Sequence, residues 1–171
     1  MLPYATELGS TVQIYELAQL NIAIMRDPLE SPVMIDFVAN LDRINALAES
    51  SVGFVWRLQT EEGDATALRP LGDMTLVNLS VWSNLAALSD YVYKSAHVEI
   101  MRRRKEWFDR MEEAHLVLWW VPAGQRPTML EAMTRLNLLR TQGATEQAFN
   151  FRTPFPPPGA TESPSPHPFA N

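Results

Sequence analysis

WSNLAALSDYVYKSAHVEIMRRRKEWF, residues 82–108, decides how the rest of the chain is read. Wound as a helix at about 100° per residue, residues 96–111 put His97, Ile100, Met101, Arg104, Trp107, Phe108 and Met111 on one face. Glu99, Arg102, Arg103, Lys105, Glu106, Asp109 and Arg110 fall on the other. A plain amphipathic helix would carry leucine where this inward stripe carries His97 and Arg104, roughly two turns apart. A buried arginine keeps its charge and needs an acceptor. Two readings follow for Arg104: a core pair with a carboxylate of the fold, or a pocket wall that meets an anionic ligand.

Outward from this helix the chain alternates strands and helices. Residues 12–23 mix β-branched, aromatic and polar side chains as a first strand does, and Asp27-Pro28 closes it. Ser31 and Pro32 start a helix whose apolar positions Met34, Phe37, Val38, Leu41, Ile44 and Ala48 recur at helical spacing. Residues 52–58 form a second strand, and the polar loop 59–70 leads through a long hairpin into a third at 74–82. In this third strand Thr75, Val77, Leu79 and Val81 make an apolar face suited to lie under helices. Met74, Leu76, Asn78, Ser80 and Trp82 make a mixed face. A short helix from Ser83 to Tyr93 bends at Lys94-Ser95 into the His97 helix. Residues 116–121 are a fourth strand, Thr128 and Glu131 a capping box for a last helix that Gly143 stops, and 148–152 a short final strand.

The 171 residues divide into an N-terminal extension (1–11), one α+β domain (12–152) and a C-terminal tail (153–171) that holds seven of the thirteen prolines and reads as disordered. The lack of cysteine excludes disulfides and thiolate chemistry. No apolar run approaches the ~20 residues of a membrane span, and the first residues lack the charged and apolar regions of a signal peptide. The expectation is a soluble, cytoplasmic protein without a membrane partner. Net charge is −6, and the basic run Arg102 to Lys105 lies on a helix face that is acidic too, so it reads as a solvated face and not as a nucleic-acid patch.

Strand, helix, strand, strand, helix, strand is the split βαβ plan of a ferredoxin-like α+β domain with an antiparallel sheet. Helices on one side of such a sheet leave the other bare, and the mixed face with Asn78, Ser80 and Trp82 is expected to pair with a second copy in a closed, homodimeric α+β barrel.

YKSAHVEIMRRRKEWF, followed by LVLWWVPAGQRPTMLEAMTRLNLLRTQGATEQAFNF, resembles the bacterial family known as domain of unknown function 3291, from about Tyr15 to Phe151. Its most specific marks are His97, Arg104, Trp107-Phe108, Trp119-Trp120, Pro127, Glu131-Ala132 and Gly143 with Ala148-Phe149. That family is similar to the dimeric α+β barrel superfamily, which includes antibiotic-biosynthesis monooxygenases, haem-degrading monooxygenases, chlorite dismutases, aldoxime dehydratases and small isomerases and cyclases. Resemblance of this kind implies a fold more than a reaction. Trp82-Ser83 and Ser95-Ala96-His97 echo the haem degraders, whose corresponding histidine holds the iron, so the resemblance implies a haem-ligand role for His97.

No phosphate-binding glycine loop, dinucleotide fingerprint or Ser-His-Asp order is present, and neither His115 nor His167 combines with His97 into a metal spacing. Nucleotide-dependent chemistry is therefore not expected. The leading expectation is a cofactor-free monooxygenase, isomerase or cyclase acting on an apolar, aromatic or polyketide-like substrate. His97 and Arg104 would be its catalytic anchors, and Trp56, Asn78, Ser80, Trp82, Met101 and Phe108 its substrate-binding residues. The first alternative is a haem protein with His97 as axial ligand. The second is a non-catalytic binding or structural module.

Overall fold

The computed structural model describes residues 13–160. Four strands, β1 (Tyr15–Ile24), β2 (Phe54–Arg57), β3 (Thr75–Trp82) and β4 (Leu116–Pro122), form one antiparallel sheet in the order β2-β3-β1-β4. The helices are α1 (Ile35–Ser50), entered through a 3-10 turn at Pro32–Met34, then α2 (Leu85–Lys94), α3 (His97–Trp107) and α4 (Met129–Gln142). The fold is α+β, and the strands and helices lie where the periodicities place them, within a few residues. Residues 148–152 differ: Phe149 alone among them pairs with the sheet, exchanging two backbone hydrogen bonds of 2.8 and 2.9 Å with Leu118, while Ala148 bridges back to Thr145.

The helices do not divide over the sheet as the alternation in β3 suggests. Register places Leu17 opposite both Trp82 and Trp120, Gln19 opposite Ser80, and Asn21 opposite Asn78, so these residues share one face. That face carries α1, α2 and α3: Leu17 and Trp82 pack with Ala48, Leu88 and Tyr91, while Trp107 of α3 packs with Leu76. The opposite face, with Ala18, Leu20, Val77, Leu79, Val81, Val117 and Trp119, receives Ala132, Leu136 and Leu139 of α4. The expectation of a bare Asn78–Ser80–Trp82 face, open for pairing with a second copy, is corrected: Ser80 and Trp82 are covered, and Asn78 stays exposed.

The reason is that the polar groups of this face satisfy one another. Gln19 Nε2 donates to Ser80 Oγ and to Asn78 Oδ1, each at 3.1 Å, and Trp82 Nε1 donates to the same Ser80 Oγ at 2.9 Å. Polar residues so paired can be covered by helices at little cost. Trp82 is 1 % exposed and Ser80 5 %.

Local chemistry sets the element ends. Asn84 caps α2, its Oδ1 accepting from Ala87 N at 2.9 Å, and Thr128 caps α4, accepting from Glu131 N at 3.1 Å. The expected capping box is only half made. Glu131 turns its carboxylate to Trp119 Nε1 (3.1 Å) and Arg135 (3.5 Å), and so ties α4 to the sheet. The start of the proline-rich tail is also anchored: Trp120 Nε1 donates to the Phe155 carbonyl at 2.9 Å and the Phe155 ring lies 6.0 Å from that of Phe149. The expectation of a detached tail is thus corrected as far as residue 160. Residues 1–12 and 161–171, with the N-terminal extension, the end of the tail and His167, lie outside the described residues. No described helix is long and apolar enough to cross a membrane.

At Gly53 the backbone has φ +82°, and a Cβ there would stand 2.5 Å from both the Ala87 Cβ and the Ser83 Oγ. The close approach joins the start of β2 to the start of α2, where Ser83 N donates to the Gly53 carbonyl at 2.7 Å. Gly53→Ala is expected to lower stability by about 2–4 kcal/mol, the combined cost of a left-handed non-glycine residue and the clash of its methyl group with the Ala87 and Ser83 side chains. Denaturant unfolding of the variant measures it.

Candidate functional site

Between the sheet and the α1/α3 pair the packing leaves a cleft. Its floor is Asn21, Ala23, Leu76 and Asn78 from the centre of the covered sheet face, and its walls come from Phe37, Leu41 and Ile44 of α1 and from His97, Ile100, Met101 and Arg104 of α3, with Phe108 just beyond. Arg57 and the 64–66 turn close one side. The space amounts to about 950 Å³, its open mouth included. At the other end of the same face Trp82, Tyr91 and Leu88 fill the interior, and the cleft lies where no strand residue is aromatic.

The structure brings His97, Arg104, Asn78, Met101 and Phe108 together around this space. It does not bring Trp82, Ser80 or Trp56 there. Trp82 is stacked against Tyr91 with ring centroids 5.0 Å apart, and Ser80 is consumed by its two donors. Trp56 sits opposite Val81 in register, on the α4 side of the sheet, with the Arg126 guanidinium 6.0 Å from its ring. These three substrate-binding assignments are corrected: each residue has an internal partner that its sequence position alone does not reveal.

His97 is placed by the bend between α2 and α3. Ser95, in extended conformation, donates its hydroxyl to the Tyr91 carbonyl and accepts from His97 N at 3.1 Å. The imidazole rests against the Tyr91 ring, centroids 4.8 Å apart, and its Nδ1 faces the Val92 carbonyl at 3.4 Å. That contact requires the proton on Nδ1, which leaves the Nε2 lone pair without a partner among the described residues. Burial pushes the imidazole pKa below its usual value of 6.5, with the Val92 carbonyl acting weakly in the other direction.

Arg104 is partly buried further along the same α3 wall. Among the described residues no carboxylate lies within 4.0 Å of it, whereas its neighbour Arg103 holds both Asp36 and Glu106 at 2.8 Å. Its one polar side-chain contact among the described residues is Nη1 to His115 Nε2 at 3.5 Å. Burial lowers its pKa, yet a guanidinium stays charged at any ordinary pH. The other arginine of the cleft, Arg57, is neutralised by Glu49 Oε1 at 2.9 Å and the Gly63 carbonyl at 2.7 Å.

Sequence reading missed Asn21, Asn45, Arg57 and Asp64 as wall residues, and His115 behind Arg104. Asn21 had a usable signal, a polar residue inside an apolar strand. His115 had none, because the loop of residues 108–115 brings it back beside Arg104 and no sequence spacing encodes that return. Among the described residues no group of three or more histidines and carboxylates is arranged to hold a metal ion.

Burial lowers the pKa of His115 as well, and the positive charges of Arg104 and Arg140 add to it. An imidazole whose folded pKa lies below its unfolded value binds fewer protons in the native state, so stability rises with pH across that interval. The contribution is complete above about pH 6.5 and disappears as the pH falls below it. Urea midpoints measured from about pH 7.5 to about pH 5 are expected to fall steadily on the acid side, and less steeply in His97→Phe.

No curated protein matches the chain significantly. Among solved structures, NE2512, a protein of unknown function from Nitrosomonas europaea, is 14% identical with a TM-score of 0.42, over 68% of this chain and 98% of its own. A similarity that low carries no argument about activity. The sequence family is clear: residues 16–165 match the domain of unknown function DUF3291, so the chain belongs to that family.

Proposed function

We propose that the chain is a ferredoxin-like unit whose cleft takes a small, largely apolar substrate of aromatic or polyketide-like shape. Arg104 meets an electron-rich oxygen of that substrate, and His97 serves as general base for a cofactor-free oxygenation, isomerisation or cyclisation. The strand order β2-β3-β1-β4 supports the fold part of this reading. The observation that carries the functional part is Arg104 itself, a charged group in an apolar wall with no carboxylate among the described residues to answer it. A guanidinium so placed is worth most to a ligand that supplies the missing acceptor. His97, neutral near pH 7 with Nε2 unengaged, is suited to accept a proton from a carbon acid held against Arg104.

A second reading has one observation in its favour. A histidine that ligates a metal normally donates its other ring nitrogen to a carbonyl or carboxylate, and His97 Nδ1 faces the Val92 carbonyl in that way. His97 would hold the iron of a haem and Arg104 would pair with a propionate, among the apolar side chains of Phe37, Ile100 and Phe108. Haem titration would give a Soret band that shifts or is lost in His97→Ala, and no spectral change at stoichiometric haem ends this reading.

Arg104→Met is expected to leave the empty protein within about 0.5 kcal/mol of the parent. Arg57→Met, which strips Glu49 and Gly63 of a mostly buried donor, is expected to cost about 1–3 kcal/mol. An aromatic carboxylate should perturb the Met101 methyl resonance and bind Arg104→Met about tenfold or more weakly, the value of a charge-assisted hydrogen bond. A several-kcal/mol loss of stability in empty Arg104→Met, or equal ligand affinity in both proteins, overturns the assignment.

A further inference from the structure

His115 is the group that the proposed function leaves unused. It is held at the start of β4, its carbonyl accepting from Ile22 N at 2.8 Å and from Asn21 Nδ2 at 3.4 Å. The ring is fixed between two neighbours. Nδ1 faces the Glu113 carbonyl at 3.4 Å and Nε2 faces Arg104 Nη1 at 3.5 Å. A guanidinium only donates, so Nε2 must present its lone pair to Arg104, while Nδ1 carries the proton and donates to Glu113. The contact therefore exists only with neutral imidazole.

The charges around His115 come from three elements. Arg104 faces it from α3. Arg140 approaches from α4, with Nε donating to the Ala114 carbonyl at 2.8 Å and Nη1 3.4 Å from Glu113 Oε2. Glu113, on the same loop, is thus already engaged by Arg140. From β1 comes only the neutral amide of Asn21. With both arginines bare or engaged elsewhere, a second positive charge on His115 meets guanidinium at close range with nothing between them. An anion seated on Arg104 removes that opposition.

We propose that Arg104 and His115 form a proton-coupled anion site, in which a carboxylate or phenolate group of the apolar ligand binds Arg104 and His115 takes up a proton from water as it does so. The site deepens the reading of the cleft given above and rests on it. Uptake leaves imidazolium behind a neutralised ion pair, and no other bond changes. By linkage, what raises proton affinity on anion binding also raises anion affinity on acidification, so the ligand is held more tightly at mildly acidic than at neutral pH. His115 acts through Arg104 and is a positioning residue. It does not line the cleft.

The test follows the His115 ring and the Met101 methyl by NMR in the full-length protein, with benzoate as anion and benzyl alcohol as neutral probe. Benzoate is expected to move the titration of His115 to higher pH in the parent and to leave it unmoved in Arg104→Met, and benzyl alcohol is expected to leave it unmoved in both. In empty Arg104→Met the titration should already lie higher than in the empty parent. Benzoate affinity read at Met101 should rise several-fold between about pH 7.5 and about pH 5.5 in the parent and stay flat in His115→Gln. A His115 titration that benzoate leaves unmoved while Met101 responds overturns the proton coupling and spares the cleft. A Met101 methyl that responds to neither probe overturns the cleft reading and this proposal with it.

Discussion

One hydroxyl lets the covered face of the sheet be covered. Ser80 Oγ accepts from Gln19 and from the Trp82 indole; without it the indole N–H would be buried with nothing to bond, at about 1–3 kcal/mol, and Gln19 would be left to Asn78 alone. With it, Trp82, one of three fully buried tryptophans, can lie under α2 and stack on Tyr91. Tyr91 in turn supports the His97 ring, and the Ser95 bend that starts α3 hangs from the Tyr91 carbonyl. The position of the whole α3 wall thus traces back through three aromatic rings to one satisfied polar pair on adjacent strands.

The same pair explains where sequence reading succeeds and where it stops. Periodicity finds every strand and helix because burial and spacing are local properties. It marks His97 and Arg104 as anomalies on an apolar stripe, and the structure lines one cleft with both. It misassigns the faces of β3 because alternation records polarity, not whether a polar group is already satisfied. Ser80 and Gln19 look solvent-facing or ligand-facing until the register sets them side by side. Trp82 misleads for the same reason, since an aromatic residue on a mixed face looks like a lining residue when its stacking partner is nine residues away in the chain.

Composition also misjudges the C-terminal segment. Proline excludes residues 153–160 from helix and central strand, but not from contact, and Phe155 offers a carbonyl and a ring that Trp120 and Phe149 use. His115 is a different case. Its relation to Arg104 depends on how the loop after α3 returns to the sheet, a distance that three-dimensional packing sets and no sequence pattern records.

The pairing of Phe149 with Leu118 bears on how the protein behaves at high concentration. β4 is an outer strand, and its middle backbone groups would otherwise be open to strand addition by another chain. A single residue closes them from outside with two hydrogen bonds, and the apolar ring it carries is fully buried instead of offered as a template. The opposite edge is guarded differently: β2 is four residues long and its register is broken between Phe54 and Trp56, so an incoming strand finds no regular ladder to extend. A sheet rich in valine, leucine and tryptophan is thereby kept from growing sideways, and a chain whose segment 144–151 came loose would expose the more regular of its two edges first.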